Sequence, residues 1–506
     1  MTALIIHGHF YQPPRENPWT GNVERESGAA PYHDWNARIH AECYAPNAWA
    51  HIIGGPEIVE RTINNYERIS FNFGPTLLSW LARHHPATYR RILEADRASA
   101  GVRGGHGNAI AQAYGHAILP LCNERDRLTH VLWGVADFRH RFGREPESMW
   151  LPETACDNAT LDLLIEQKLR FVILAPHQAA RRKPSGSDEW QSIEDPGIPA
   201  AGAYRYLHQD GSGRSLAVFF YNGPASRAIA FEKALVSSES LVARFKHAAL
   251  RAPLVSVATD GETYGHHFKF GDLCLAHALE IEAPAAGFEI TNYGEFLDQY
   301  PAEAQVEIDQ GPYGEGASWS CSHGVSRWTR DCGCHTGGEP GWNQAWRGPL
   351  RAALNFLRDH AARQFEAAGG DLFIDPWETR NASIALILRC DGSPEEFLLQ
   401  HTRRRLSQAD QGRALALLEM QRHLLLMFAS CGWFFSDIAG IESVQMMKYA
   451  ARAIDLMGQS GLAPVRAEFL EILAEAKSNR PELGNAADIY RQSVEPLNHS
   501  TQNRLP

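Results

Sequence analysis

The chain has 506 residues, is 44% hydrophobic and carries a formal charge of -11, which suits a large core and predicts one catalytic domain plus an appended one. An acidic balance without long Lys/Arg runs argues against nonspecific binding to nucleic acid or to an anionic membrane surface, because both would be repelled, and favours a neutral or polyhydroxylated ligand. No stretch approaches ~18 uninterrupted apolar residues, so no membrane span is predicted.

Along the chain, short apolar runs recur, each ending in polar or chemically capable residues. The first, Leu4-Ile5-Ile6, leads into His7-Gly8-His9 with no basic leader and no small-residue cleavage site; it is predicted to be a first strand rather than a secretory signal, and the expected compartment is the cytoplasm. Ile69-Ser70-Phe71 precedes Asn72, and Ser148-Met149-Trp150 precedes Leu151-Pro152-Glu153. The pattern returns at Phe171 to Leu174, at Leu216 to Phe220, and at Leu254 to Ala258 before Thr259-Asp260. Amphipathic stretches at Thr76 to Ala98, Asp126 to Phe142 and Thr160 to Lys168 lie between them. A weaker strand is predicted around Gly101 to His106, which brings the count to about seven β/α units, as in a barrel. The catalytic domain is therefore expected over residues 1–305.

A Gly-, Trp- and Cys-rich segment, 306–347, is expected to be a linker loop. Beyond it, Pro349 to Ala368, Pro394 to Leu406, Gly412 to Ala429, Ser443 to Met457 and Val465 to Ala476 carry apolar residues at helical spacing, predicting a helical domain over 348–485. Residues 486–506 are expected to be a polar, loosely ordered tail.

Active sites of such folds gather where the strands end and their loops converge. His7 and His9 alternate on one strand and so share a face. Glu153 is delivered by an apolar strand; a surface carboxylate capping the next helix is the competing reading. Asp260-Gly261-Glu262-Thr263-Tyr264-Gly265-His266-His267 brings together two carboxylates and two imidazoles, with glycines predicted to permit bends, and a metal site competes there. His106, in Gly104-Gly105-His106-Gly107-Asn108, is a further candidate of low specificity. Two carboxylates on separate strands suit glycosidic cleavage with retention, one attacking the anomeric carbon and the other protonating the leaving oxygen, about 5–5.5 Å apart; inversion needs ~6.5–9.5 Å.

These motifs resemble glycoside hydrolase family 57, with its early His-x-His segment, a Trp-x-x-Glu strand end (Trp150 to Glu153) and an Asp-x-Glu segment (Asp260 to Glu262). The resemblance, to amylase-, 4-α-glucanotransferase- and branching-enzyme-like members, implies an incomplete TIM-like (β/α)7 barrel followed by an α-helical domain that contributes to the active-site cleft. It implies Glu153 as nucleophile and Asp260 as general acid/base, with Glu262 and His266 as further pocket positions and no cofactor required; His7, His9, His106 and Trp150 join them as candidate substrate-binding residues. The implied activity is that of a retaining hydrolase or transglycosylase on α-linked glucans or oligosaccharides. Phe10 and Tyr11 intervene before Gln12-Pro13, where members of defined α-glucan activity have a compact His-Gln-His-Gln-Pro; this marks a divergent member and leaves linkage open. The family's last motif is matched loosely by Cys431 to Asp437, making Trp433 and Asp437 sugar-binding candidates against a core role for the tryptophan.

The nine cysteines, odd in number and scattered, do not form a secreted disulfide framework. Only Cys321, Cys332 and Cys334 cluster, as candidates for a structural zinc that would order the interdomain loop, with Trp319, Arg327 and Trp328 of the same loop as candidate ligand-facing residues. Two other functions stay open: a metal-dependent carbohydrate deacetylase using His7, His9 and Asp260, and a catalytically silent glycan-binding protein on the same scaffold. The partner in every case is an oligosaccharide or polysaccharide; oligomeric state is not readable.

Overall fold

The computed structural model describes residues 2–55, 58–194, 197–250, 252–390, 393–463, 465–495 and 497. They form two compact units, the first made of Met1–Gln12, Arg25–Gln112 and Arg141–Gln310, the second of Pro13–Glu24, Ala113–His140 and Gly311–Pro506.

In the first unit, seven mutually parallel strands follow one another in sequence order: β1 (Thr2–Phe10), β2 (Ser70–Phe73), β3 (Ala111–Gln112), β4 (Met149–Trp150), β5 (Phe171–Leu174), β6 (Ser215–Phe220) and β7 (Leu254–Asp260). β1 pairs with β7 on one side and, on the other, with β2 along its second half and with a short eighth parallel strand, Phe288–Ile290, along its start. β3 pairs with β4, and β5 with β6. Single bridges, Phe71 to Ala109 and Ser148 to Phe171, join these pairs, and the Asn222 N–H, just beyond β6, donates to the Ser256 carbonyl of β7 at 2.7 Å. Because β3 and β4 are only two residues long, the ladders divide into separate sheets and no closed barrel is defined by them. The architecture is mixed α/β with a helical C-terminal region. β1, β2 and β5 are buried on both faces, the signature of a parallel sheet covered by helices.

The third strand lies later than its apolar pattern predicted. Residues 101 and 102 belong to the end of helix Pro86–Val102, and Gly104 and Gly105 turn at positive φ, so Gly101 to His106 is a helix end and turn. The helical stretch predicted from Thr76 to Ala98 is two helices, Pro75–His84 and Pro86–Val102. Pro86 lacks an N–H and pushes His85 out of helical geometry, to φ -136° and ψ 61°. A mixed outer sheet, with β6 antiparallel to Ala203–Leu207 and further strands at Gln305–Ile308 and Ala179–Lys183, was not apparent in the apolar runs.

The second unit is helical and assembled from three stretches of chain. Its long helices are Glu124–Phe142, Arg347–Gly370, Gln408–Leu426 and Ile441–Gln459. Buried Trp133, Trp328, Trp346 and Trp433 fill its interior. The segment expected to be a linker loop is part of this core: the Trp328 indole N–H donates to the Ser430 carbonyl at 3.0 Å, and Arg351 donates to the Trp328 carbonyl at 3.0 Å. Trp328 is therefore a core residue rather than a ligand-facing one. The expected polar tail opens with a helix, Ala486–Ser493, capped by Asn485 and burying Ile489 and Tyr490; residues 498–506 lie outside the described ones. No described helix is long and apolar enough to cross a membrane.

Candidate active site

Parallel pairing puts chemically capable side chains into one layer at the C-terminal ends of the strands. The register aligns His9 with Asp260 of β7 and with Asn72 of β2, and Gln112 with Trp150. Laterally paired residues share a face. Asn72 organises the layer: its Oδ1 accepts from His7 Nε2 at 3.0 Å, and its Nδ2 donates to His9 Nδ1 at 2.9 Å and to Gln112 Oε1 at 2.8 Å. This assigns the tautomers, since His7 must carry its proton on Nε2 and accept from Ser70 Oγ (3.0 Å) at Nδ1, while His9 accepts at Nδ1 and is protonated at Nε2. Trp150 lies flat against both imidazoles, at 4.8 Å from His7 and 4.9 Å from His9. Burial drives both histidine pKa values down to about 3, so both are neutral hydrogen-bonding groups at neutral pH.

Glu153 sits one turn beyond β4 in an unusual backbone. It has φ 57° and ψ 23°, and Thr154 follows at φ 48°. Two successive left-handed residues, neither glycine, cost roughly 1–2 kcal/mol each, and such strain persists only where the surroundings impose it. Here Gln178 imposes it. Its Oε1 accepts from Thr154 Oγ1 (2.8 Å) and from the Ala175 N–H (2.9 Å), and its Nε2 donates to the Thr154 carbonyl (2.8 Å). Glu153, only 9% exposed, stands ahead of the helix Asn158–Glu166. That helix is capped by Asp157, whose side chain accepts from the Thr160 N–H at 2.8 Å, so Glu153 is not the helix cap.

Asp260 closes β7 and keeps an exposed face toward solvent. Crowding by surrounding protein, reinforced by the negative charge of Glu153, raises its pKa to about 7. Burial likewise raises Tyr221, just beyond β6, and the Asp260 charge adds to the effect, which brings this phenol into the same electrostatic neighbourhood.

Glu262, two residues on, is buried. Tyr44 donates its hydroxyl to Glu262 Oε1 at 2.5 Å, and the Tyr11 N–H donates to the same oxygen at 3.2 Å. Burial lifts the Glu262 pKa to about 8 despite these bonds, with the Asp260 charge acting in the same direction. The loop around it is fixed by Asn47, which donates to the Tyr264 carbonyl at 2.7 Å, and by the Cys43 thiol on the Gly261 carbonyl at 3.4 Å. Gly261 has an ordinary backbone: what requires glycine is the Phe10 ring, 2.2 Å from where a Cβ would stand. Gly265 does bend, at φ 151°, and a Cβ there would meet the Glu42 carbonyl at 2.3 Å.

Four predicted site residues are engaged by other partners. His106 precedes β3, at the N-terminal end of the strands, where Glu147 binds Nδ1 and Asp298 binds Nε2, each at 3.0 Å, and Arg170 bridges the two acids. It belongs to an ion-pair network opposite the strand ends that carry Glu153 and Asp260, because the strand it was expected to close begins after it. His266 binds Glu42 at 2.5 Å and meets the Trp35 ring edge-on. In the second unit, Trp433 is fully buried, donates to the Arg347 carbonyl at 3.2 Å and packs under the Arg351 guanidinium. Asp437 is consumed by its own neighbourhood, accepting from the Asn479 N–H at 2.6 Å, Ser478 Oγ at 3.0 Å and the Ala439 N–H at 2.9 Å. Conversely, Asn72, Gln112, Tyr44, Gln178 and Tyr221 were not predicted. Asn72 had a signal, standing at the end of an apolar run; Tyr44 and Gln178 had none, since only folding brings them to their partners.

His7 has both ring nitrogens engaged by protein and offers no lone pair to a metal. Among the described residues, the one gathering of three or more His, Cys, Asp or Glu ligand atoms is Cys321, His323, Cys332 and Cys334, in the second unit.

A family model described as Glycosyl hydrolase family 57 matches residues 7–309, the span that contains every strand-end group above. A second, described as Domain of unknown function (DUF3536), matches residues 342–504. No curated protein sequence matches the chain. Among solved structures, similarity extends to an exo-type maltose-forming amylase from Pyrococcus sp. ST04 at 16% identity and TM-score 0.66, covering 100% of this chain and 94% of that one. A branching enzyme from Pyrococcus horikoshii aligns at 14% identity and TM-score 0.53 over 99% of this chain and 96% of that one. A 4-alpha-glucanotransferase from Thermococcus litoralis aligns at 14% identity and TM-score 0.52 over 90% of this chain and 59% of that one. At these identities the likeness is one of fold.

Proposed function

We propose that this chain, which belongs to glycosyl hydrolase family 57, is a retaining glycoside hydrolase or transglycosylase acting on α-linked glucans or oligosaccharides. The observation that carries this reading is the electrostatic pairing of two strand-end carboxyl groups, in which the charge of Glu153 helps hold Asp260 at a pKa of about 7. Two neighbouring carboxyl groups, one of them holding its proton up to about pH 7, are the pair that double displacement needs. The seven parallel strands are read as an incomplete (β/α)7 barrel, with residues 1–305 as the catalytic part.

In the first step a Glu153 oxygen attacks the anomeric carbon while the bond to the leaving oxygen breaks and that oxygen takes the Asp260 proton. In the second, water or a sugar hydroxyl gives its proton to the Asp260 carboxylate and attacks the anomeric carbon, releasing Glu153. Neutral His7 and His9 remain hydrogen-bonding groups throughout, and with Trp150 and Glu262 they are assigned to the wall of the site. Because Asp260 must hold its proton for the first step, kcat/KM falls as pH rises through about 7. The name of the maltose-forming amylase, the branching enzyme and the glucanotransferase supports an α-glucan as the substrate class.

The test is a screen of α-linked oligosaccharides with wild-type protein, Glu153→Ala and Asp260→Ala, with products followed by NMR. Wild type is expected to release product of retained anomeric configuration. Glu153→Ala loses at least ~10³-fold in kcat and, with added azide, yields the inverted glycosyl azide, whereas Asp260→Ala yields the retained one. Full turnover by folded Glu153→Ala, or inverted product from wild type, overturns the assignment; binding of sugar without turnover across the panel favours a silent glycan-binding protein. Acetate release sensitive to chelator would favour the deacetylase reading, against which stands the engagement of both His7 nitrogens.

A further inference from the structure

The spacing Cys-x-His-x8-Cys-x-Cys, from Cys321 to Cys334, is not a standard zinc motif, and the three cysteines alone leave a tetrahedron incomplete. Folding supplies the missing corner. His323 joins the cysteines so that one ligand atom from each of the four residues lies within 4.8 Å of the other three. The Cys321 and Cys332 sulfurs are 3.8 Å apart, and Cys334 Sγ is 3.5 Å from His323 Nδ1. A tetrahedral zinc with Zn–S bonds of about 2.3 Å and a Zn–N bond of about 2.0–2.1 Å requires S···S edges near ~3.8 Å and S···N edges near ~3.6 Å. A disulfide would need its sulfurs at ~2.05 Å.

The surroundings call for negative charge. Arg347 is fully buried; Nη1 donates to the Cys334 carbonyl at 2.7 Å, and Nε and Nη2 have no hydrogen-bond partner among the described residues. Arg327 stands near it as a like charge, with Cys332, Asp331 and Cys334 as the nearby groups of opposite sign. A buried guanidinium is tolerated when an anion sits beside it, and three thiolates with one neutral imidazole around Zn2+ carry a net charge of -1. The cluster also lies in a stretch, Gly311 to Trp346, whose only helix is the three-residue turn Ser326–Trp328, yet which contributes buried Trp328 and Trp346 to the second unit. Such a segment has little backbone pairing of its own to hold it in place.

We propose that Cys321, His323, Cys332 and Cys334 form a structural zinc site that closes the 321–334 loop of the helical unit. On binding, Zn2+ takes three thiolate sulfurs and His323 Nδ1, and the three thiol protons pass to solvent. Four protein ligands fill the tetrahedron and leave no position for a water, so the ion stabilises the loop and takes no part in hydrolysis.

The full chain, purified without a metal-binding tag and without chelator, is expected to hold one zinc per molecule by elemental analysis. Replacement by cobalt should give the strong visible and thiolate charge-transfer bands of tetrahedral sulfur-rich coordination. His323→Ala changes an exposed ring and so should leave the fold intact while weakening zinc at least ~10-fold in competition with a chromophoric chelator, since loss of even a supporting group costs that much. Cys334→Ser should do the same, and chelation should lower the thermal midpoint of wild type more than that of these variants. Three alkylatable thiols at positions 321, 332 and 334 with no metal and no cobalt spectrum overturn the proposal, as does a mapped Cys321–Cys332 disulfide in freshly prepared protein.

Discussion

At the scale of single residues, the site is defined by what burial does to charge. Glu262 is buried with its carboxyl pKa raised to about 8, whereas an unfolded glutamate titrates near ~4.3. Below about pH 4 both states hold the proton and nothing is lost; from there to about pH 8 the unfolded chain ionises while the folded one does not, and stability falls as pH rises. Glu262→Gln removes this penalty and keeps an acceptor for Tyr44 and the Tyr11 N–H. Its stability should match wild type near pH 4 and exceed it by on the order of 5 kcal/mol at pH 9, at about 1.4 kcal/mol per pH unit between. Urea unfolding at the two pH values checks this, and a constant difference between variant and wild type would sink it. Glu153, Asp260, Glu262, His7, His9 and Trp150 could be picked out as candidates because strand-end position and side-chain chemistry are both local properties. The left-handed backbone at Glu153 and Thr154 was not, because no glycine or asparagine marks it.

At the scale of elements, that left-handed pair makes the turn after β4 depend on the turn after β5. Gln178 holds it through three hydrogen bonds from a fully buried amide. Gln178→Leu fills much the same space but orphans the Thr154 hydroxyl and carbonyl and the Ala175 N–H. With ~1–3 kcal/mol for each buried group left unpaired, it should destabilise by at least ~3 kcal/mol and lower kcat by more than it raises KM, because Glu153 loses its aim. Unchanged kcat in a destabilised variant would show that Gln178 supports the fold but does not position Glu153. The strands themselves were largely legible from apolar runs, as with Phe171–Leu174, whose predicted and observed bounds coincide. The exceptions have physical causes: β3 is two residues long and has no apolar run to announce it, and Pro86 interrupts a helical periodicity that continues on both sides.

At the scale of the whole molecule, the helical unit is not a C-terminal appendage in the chain's own terms. Helix Glu124–Phe142 supplies buried Trp133, and its Asp126 accepts from buried Arg380 at 2.6 Å, while Arg380 also binds the Arg125 carbonyl and Thr129. The earlier stretch 13–24 joins in through Trp19, whose indole donates to Asp455 at 2.8 Å, and through Glu16, whose carbonyl accepts from Gln445 at 2.9 Å. A fragment of residues 311–506 leaves Arg380 a buried charge without its partner, a defect worth ~3–5 kcal/mol, beside an unfilled core. It should therefore lack a cooperative thermal transition by circular dichroism, and a fragment that melts as sharply as the full chain would refute this. The helices of that unit were predictable from 3.6-residue periodicity, but their need for residues 13–24 and 113–140 was not. By itself the sequence determined the family, the alternation of strands and helices and the two strand-end carboxyl groups, because periodicity and residue chemistry are written locally. Only tertiary structure decided that His106 serves an ion-pair network, that Trp433 and Asp437 serve the helical core, that His323 completes the cysteine cluster, and that Asn72, Tyr44 and Gln178 hold the site, since each of these rests on a partner far away in the chain.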